Sequence, residues 1–233
     1  MCPELPLDIS RLRKLLVGNG LAKTLIYRTE TWSTNDDALA MVRGGGTEGT
    51  VFVTDFQICG RGTRGRSWRS PRNRSLLLST ILRPRRFLKP VELTQLGALG
   101  LCQGLRDGTQ LDVRIKWPND AIVHQRKIGG VLVEVVSGRP GAVVFGIGAN
   151  LNGEAHDIRV SDTPTTSVMQ ETGMACDREA VISAVINALQ RSYHALDSGC
   201  SLSEEWMGLS AVVGQRVRFQ TETVRYHGLV NGF

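Results

Sequence analysis

Ile128-Gly129-Gly130-Val131-Leu132-Val133-Glu134-Val135-Val136 and, a few residues on, Ala142-Val143-Val144-Phe145-Gly146-Ile147 are two nearly unbroken apolar runs. Each has the length of a strand, and their β-branched residues suit a pleated surface. Apolar residues that run on without alternating mark central strands covered on one or both faces. The fold is therefore built outward from a sheet whose middle lies here.

Working outward, residues 24–28, 50–54, 75–82 and 113–116 read as further strands. Residues 91–105 read as a buried helix. Residues 178–196 read as a longer one, with Val181, Val185, Ile186, Leu189 and Tyr193 on its inner side. Asp8 can cap a short amphipathic helix that ends before Gly18, and Ser33-Thr34-Asn35-Asp36-Asp37 opens another that Gly44-Gly45-Gly46 closes. Hairpins mixed with helices give an α+β fold, a mixed β-sheet with helices packed on one side. From about Ser210 the texture changes to short alternating strands at 216–220 and 224–230. These read as the start of a small β-barrel, too short to close by Phe233. The expected division is 1–209 for the main body and 210–233 for this appendage.

Charge is unevenly placed. The 233 residues carry +6 overall, yet the stretch between Asp55 and Glu92 holds nine arginines and Lys89 with no acid, which leaves the remainder at −4. A local cationic device argues for one anion site rather than a general polyanion coat. The cysteines (Cys2, Cys59, Cys102, Cys176, Cys200) are odd in number, and the histidines (His124, His156, His194, His227) lack ligand spacing. Reduced thiols in a cytoplasmic protein are expected, with neither disulfides nor structural zinc. Residues 1–10 have no signal-peptide pattern, and no run is long enough for a membrane span.

Four segments carry chemistry. Gly60-Arg61-Gly62-Thr63-Arg64-Gly65-Arg66-Ser67-Trp68 combines glycines that admit a ligand to the backbone, three guanidinium forks and a flat indole. It is neither a phosphate-cradling loop closed by Gly-Lys-Ser/Thr nor a dinucleotide fingerprint. A solvated basic loop is the bland alternative. Lys116-Trp117-Pro118-Asn119-Asp120 ends a strand with a point charge and a turn, and Asp120 could help to hold Mg²⁺. Arg126-Lys127 leads into the paired glycines Gly129 and Gly130, which mark either close ligand approach or tight packing. Ser33-Thr34-Asn35 is by default a helix cap, yet its hydroxyl and amide groups could also read a urea-like head group.

In this order, with Gln57 ahead of the arginine loop and Gly146-Ile147-Gly148-Ala149-Asn150 and Thr166-Ser167 following, the segments resemble the catalytic domain of biotin–protein ligases, from about Leu25 to Gly208. The resemblance implies a class II synthetase-like α+β domain with an SH3-like β appendage. It implies an enzyme that joins biotin to ATP as biotinyl-5'-AMP and transfers it to a lysine of a biotin carboxyl carrier protein, with Mg²⁺ on the phosphates. Ser33, Thr34, Asn35 and Gln57 would serve the ureido end of biotin, with Arg61, Gly62, Thr63, Lys116, Gly129 and Gly130 completing its site. Arg61, Arg64, Arg66, Trp68, Lys116 and Asn150 would serve the nucleotide, and Lys116 and Arg61 would be catalytic. The loop's fourth residue is often arginine in that family and is Thr63 here, which removes one charge beside the acyl-adenylate.

Some members carry an N-terminal DNA-binding module. About two dozen residues precede the first strand here, so a monofunctional ligase without DNA or membrane partners is expected, with homodimerisation left open. Two rivals stand beside this reading. A lipoate or octanoyl ligase of the same fold would show an Arg-Arg-x-x-Gly-Gly-Gly motif, which is absent. A basic nucleic-acid-binding module would need aromatic residues along the arginine stretch, and only Phe56, Trp68 and Phe87 lie there.

Overall fold

The computed structural model describes residues 5–136, 141–153, 164–220 and 224–232. Cys2, His156 and Phe233 lie outside them. Seven strands form one sheet: β1 (Thr24–Arg28), β2 (Thr50–Thr54), β3 (Ser75–Leu82), β4 (Arg114–Lys116), β5 (Asp120–Val123), β6 (Arg126–Val136) and β7 (Ala142–Asn150). Their spatial order is β1-β2-β3-β7-β6-β5-β4, with β1 and β2 parallel and every other pair antiparallel. The two apolar runs are adjacent strands near the centre, as expected.

Because strand residues alternate between faces, the sheet divides its side chains by parity. On one face Val143, Phe145 and Ile147 of β7, Leu76 and Leu78 of β3 and Val131 of β6 join the main core. Against them lie helices α3 (Pro90–Thr109) and α5 (Arg178–Asp197), with α1 (Ile9–Leu15) beside α5. Asp8 caps α1 by accepting from the Arg11 N–H at 2.9 Å. The helices come close because α3 places glycines along its seam. A Cβ at Gly104 would lie 2.3 Å from Cα of Val185, and one at Gly100 would lie 2.9 Å from Cα of Leu189. Val181, Val185, Ile186, Leu189 and Tyr193 are all buried on α5.

On the opposite face α2 (Thr34–Arg43) covers one end of the sheet through a smaller cluster of Ala38, Val42, Phe52, Ile81, Ala142 and Val144. The rest of that face stays open. A buried ion pair ties α5 to the ends of β1 and β2: Arg178 on α5 donates to Asp55 at 2.7 Å, and the Tyr27 hydroxyl donates to the same carboxylate at 2.5 Å. Burial, reinforced by Asp55, pushes the Tyr27 hydroxyl up to about 12.

Three elements went unread in the sequence. β5 follows directly on the Trp117–Asn119 turn, and the short α4 (Val168–Thr172) and α6 (Ser203–Leu209) are amphipathic only over one or two turns. The Thr166-Ser167 step introduces α4, where Ser167 accepts from the Gln170 N–H at 3.2 Å. The late strands are β8 (Arg216–Gln220) and β9 (Arg225–Leu229), which pair with each other in a separate two-stranded sheet, and β9 is exposed along its length. Among the described residues, no helix is long and apolar enough to cross a membrane.

Candidate active site

The open face beyond α2 holds a cleft of about 670 Å³ including its mouth, a size suited to a small-molecule ligand. Its lining includes Ser33, Thr34, Asn35, Gln57, Arg61, Gly62, Thr63, Arg66, Trp68 and Gly130 from the expected set. One end is neutral and polar. Ser33 sits at the helix start, yet its side chain makes no capping bond, so the default capping reading fails there. The Thr34 N–H and hydroxyl both point to Gln57 Oε1, at 2.8 and 3.0 Å. Ser79 Oγ lies 2.7 Å from Thr34 Oγ1 and donates to Asn35 Oδ1 at 2.5 Å. The Asn35 amide continues to Glu134 at 2.7 Å. Asn35 can lie this flat only because Gly146 beneath it has no side chain: a Cβ there would sit 2.0 Å from Asn35 Oδ1.

The arginine loop closes over the other side. Trp68 N donates to Gly60 O at 2.8 Å and Gly62 N donates to Arg66 O at 2.6 Å, so the loop is a narrow hairpin. Its tip turns through left-handed backbone at Arg64 (φ 58) and Gly65 (φ 72). Arg64 is thereby aimed outward, exposed and off the cleft lining. Arg66 folds back, its guanidinium donating to Thr63 Oγ1 at 3.0 Å and Thr63 O at 3.3 Å. Arg61 spans the cleft: it donates to both oxygens of Glu134, at 3.0 and 2.8 Å, and to Asp36 at 2.7 Å. Burial pulls its pKa down, but Glu134 and Asp36 outweigh that and hold it above its ordinary value. Trp68 is buried flat on Gly148, where a Cβ would approach the indole to 2.7 Å. Its Nε1 has no partner among the described residues.

Several expected residues lie elsewhere. The paired glycines divide the two readings between them. Gly130 fronts the cleft, whereas a Cβ on Gly129 would point into the helix layer, 3.2 Å from Leu101 of α3. Gly129 is thus a packing glycine, because parity turns it away from any ligand. Lys116 is exposed and off the lining, although it shares the cleft face. It stands opposite Asp120, which stands opposite Gly130, which stands opposite Gly148. Two strand spacings, about 10 Å, separate the Lys116 backbone from Gly130, so this lysine marks the rim. Asn150 is on the cleft face two residues beyond Gly148. Its amide donates to Thr166 O at 3.0 Å while its Oδ1 is unpartnered among the described residues.

Asp120, read in the sequence as able to help hold Mg²⁺, stands beside Lys127. Its carboxylate is paired with the Lys127 ammonium at 2.5 Å, and no group of three His, Cys, Asp or Glu suited to a metal occurs among the described residues. Four residues that shape the cleft went unassigned in the sequence: Ser79, Glu134, Lys127 and Gly148. Ser79 interrupts an apolar strand, and Lys127 and Glu134 bracket the Gly129-Gly130 run, so the signals were present without a partner to interpret them. The acids matter electrostatically. Asp36 and Glu134 stand against Arg61, and Asp120 against Lys127, so Arg61 of the cationic stretch is balanced in space by acids distant in sequence.

Residues 30–152 match the model described as the Biotin/lipoate A/B protein ligase family. The biotin--[acetyl-CoA-carboxylase] ligase of Paracoccus denitrificans is 33% identical over 217 residues, spanning 89% of this chain and 89% of its own length. The bifunctional ligase/repressor BirA of Bacillus subtilis (strain 168) is 30% identical over 97% of this chain and 71% of its own length. Among solved structures, the biotin protein ligase from Aquifex aeolicus in complex with biotin and ATP is similar with a TM-score of 0.77 at 25% identity, covering 90% of this chain and 88% of that one.

Proposed function

The chain belongs to the biotin/lipoate A/B protein ligase family, and from that premise we propose that it is an ATP-dependent biotin–protein ligase acting on a lysine of a biotin carboxyl carrier protein. The observation that carries the reading is the continuous hydrogen-bonded run from Gln57 through Thr34, Ser79, Asn35 and Glu134 to Arg61. Its neutral end matches a ureido ring, which offers one carbonyl and two N–H groups. Its guanidinium end matches a carboxylate. A linear acyl chain such as octanoate has no polar group for that end to recognise.

The chemistry follows from the acid. A carboxylate has no leaving group at neutral pH, so an amide forms only after its oxygen is activated. In the first step that oxygen attacks the α-phosphorus of ATP. The new P–O bond forms as the bond to the β-phosphate breaks, and pyrophosphate leaves with its electron pair. In the second step the carrier's amine attacks the acyl carbon, AMP departs and the amine loses a proton. Mg²⁺ enters with the nucleotide as part of the substrate.

The first step brings like charges together. At about 4 Å and an effective dielectric near 20, each unit pair costs on the order of 4 kcal/mol. Arg61 and Arg66 in the cleft and Lys116 at its rim offset this and stabilise charge that grows in the transition state. Trp68 supplies an aromatic wall for the nucleotide, and the loop's closure would keep water from the mixed anhydride. The main body to about residue 209 would carry both steps, with the β8–β9 appendage a separate part.

The test is isotope exchange between pyrophosphate and ATP. We expect exchange that requires biotin, ignores octanoate and lipoate, and falls at least about a hundredfold in Lys116→Ala. Near-normal exchange in that variant refutes its role. Exchange driven by lipoate instead of biotin overturns the substrate assignment.

A further inference from the structure

We infer that Glu171 is a positioning residue for the nucleotide: through Thr166 it fixes Asn150 so that the amide oxygen, and not the nitrogen, faces the bound base. The inference rests on the ATP-dependent reading above. Glu171 lies on α4, and its side chain is only 3% exposed. A carboxylate so enclosed is costly unless it is paired and hydrogen-bonded. Arg126 Nη2 lies 2.8 Å from Oε1 and 3.0 Å from Oε2, and His124 Nδ1 lies 3.1 Å from Oε2. Thr166 Oγ1 donates to Oε1 at 2.5 Å. Burial alone would raise the pKa of Glu171, but the hydrogen bonds from Thr166 and His124 and the charge of Arg126 hold it below its ordinary value.

These donors belong to two segments that Glu171 joins. His124 and Gln125 form the two-residue turn between β5 and β6, both in left-handed backbone (φ 47 and 64) without being glycine. Such residues persist where their surroundings over-determine them. Glu171 grips the turn at His124 and again at Arg126, the first residue of β6. The second segment, residues 164–167, runs along the start of β6. Lys127 N donates to Pro164 O at 2.7 Å, and Thr166 N donates to Lys127 O at 2.8 Å. Glu171 thus clamps this segment to the β5–β6 hairpin.

What the clamp presents is Asn150. Thr166 O accepts from the Asn150 amide at 3.0 Å. A carbonyl can only accept, so the NH₂ turns to Thr166 and Oδ1 is left to point elsewhere. That oxygen is buried and without a partner among the described residues, and so is the hydroxyl of Ser75, which stands opposite Asn150 on β3. Both residues share the cleft face with Gly148, the seat of Trp68, one side-chain step away. Buried polar groups are seldom left unmatched. A base stacked on Trp68 meets an acceptor there: the exocyclic amine of adenine supplies the missing donor, and an oxo group in its place supplies none.

The experiment compares Thr166→Val, Glu171→Leu, the double variant T166V/E171L and Thr166→Ser. The double variant replaces hydroxyl and carboxylate together, so neither is stranded, while Arg126 and His124 are exposed enough to stay hydrated. Each is assayed for biotin-dependent pyrophosphate exchange with ATP and with inosine triphosphate, which carries an oxo group where ATP has the amine, and for biotin affinity by calorimetry. Thr166→Val, Glu171→Leu and the double variant should raise the KM for ATP about tenfold with kcat within about threefold. Their preference for ATP over inosine triphosphate should fall about fivefold, the worth of one net hydrogen bond. Biotin affinity should stay within about twofold, and Thr166→Ser, which keeps the hydroxyl, should restore most of the loss. A KM for ATP within twofold of wild type in the double variant overturns the inference. Equal losses of biotin affinity and ATP affinity do so too, since they mark a purely structural carboxylate, as does a wild-type enzyme that uses both nucleotides alike. A wild-type protein without any biotin-dependent exchange would instead remove the ligase reading, and the inference with it.

Discussion

The two faces of the central sheet are made from alternate residues of the same strands, and they are built on opposite principles. On β7, Val143, Phe145 and Ile147 enter a dry core against α3 and α5, where glycines let two helix backbones nearly touch. One residue out of step, Gly146 and Gly148 leave room, and what fills that room is Asn35 and Trp68 from distant segments. The first face is specified by volume, the second by the removal of volume. A glycine on the core side brings elements together, whereas a glycine on the cleft side makes a seat. The difference teaches that stability and chemistry can be varied almost independently in this sheet, provided parity is respected.

Phe145→Ala tests the core side and should have the largest effect. The ring is fully buried, and removing it should cost about 3–5 kcal/mol, read as a lower denaturant midpoint at unchanged slope. In protein that remains folded, exchange activity should change little. Gly148→Ala tests the cleft side one register over. Its methyl would meet the indole at 2.7 Å, so Trp68 must shift by a fraction of an ångström. We expect at most about 1 kcal/mol of lost stability, since Trp68 borders open space, but on the order of a hundredfold loss of exchange from a misplaced wall. If Gly148→Ala proves the more destabilising of the two, or if folded Phe145→Ala is inactive, the separation of the faces is broken.

The same contrast explains what could be read in the sequence. The core face announced itself, because apolar runs and a 3.6-residue period depend only on neighbours in the chain. Hence β1, β2 and β3 were read at their true bounds and α5 to within one residue. β5 was missed because its four residues follow a turn signal at Asn119-Asp120. The cleft face was legible where a motif was contiguous, as in the arginine loop and Ser33-Thr34-Asn35. It was illegible where the meaning lay in a partner. Nothing near Asp120 says that it pairs with Lys127, and nothing near Glu134 says that it joins Asn35 to Arg61. Lys127 was hidden twice over, since a bulge between β5 and β6 reverses the parity by which its face would be counted. The net charge of the 56–91 stretch misled for the same reason: the acids that balance Arg61 are Asp36 and Glu134, before and after it.

Glu134→Gln gives the smallest effect and the sharpest test of how the cleft face works. Glu134 accepts from Asn35 at 2.7 Å with one oxygen and from both terminal nitrogens of Arg61 with the pair. The amide keeps one acceptor oxygen and presents an NH₂ where the other stood, so Asn35 and Arg61 cannot both remain satisfied. The pair is partly exposed, and the loss of folding stability should stay below about 1 kcal/mol. Biotin binding should weaken roughly fivefold, the worth of about one net hydrogen bond, because the residues at both ends of the proposed acid site lose their common anchor. Calorimetric titration with biotin reads this directly. Tighter binding in Glu134→Gln would reverse the sense of the interaction: the carboxylate would then compete with biotin for Arg61, and the ligand-free cleft would be one that biotin has to open.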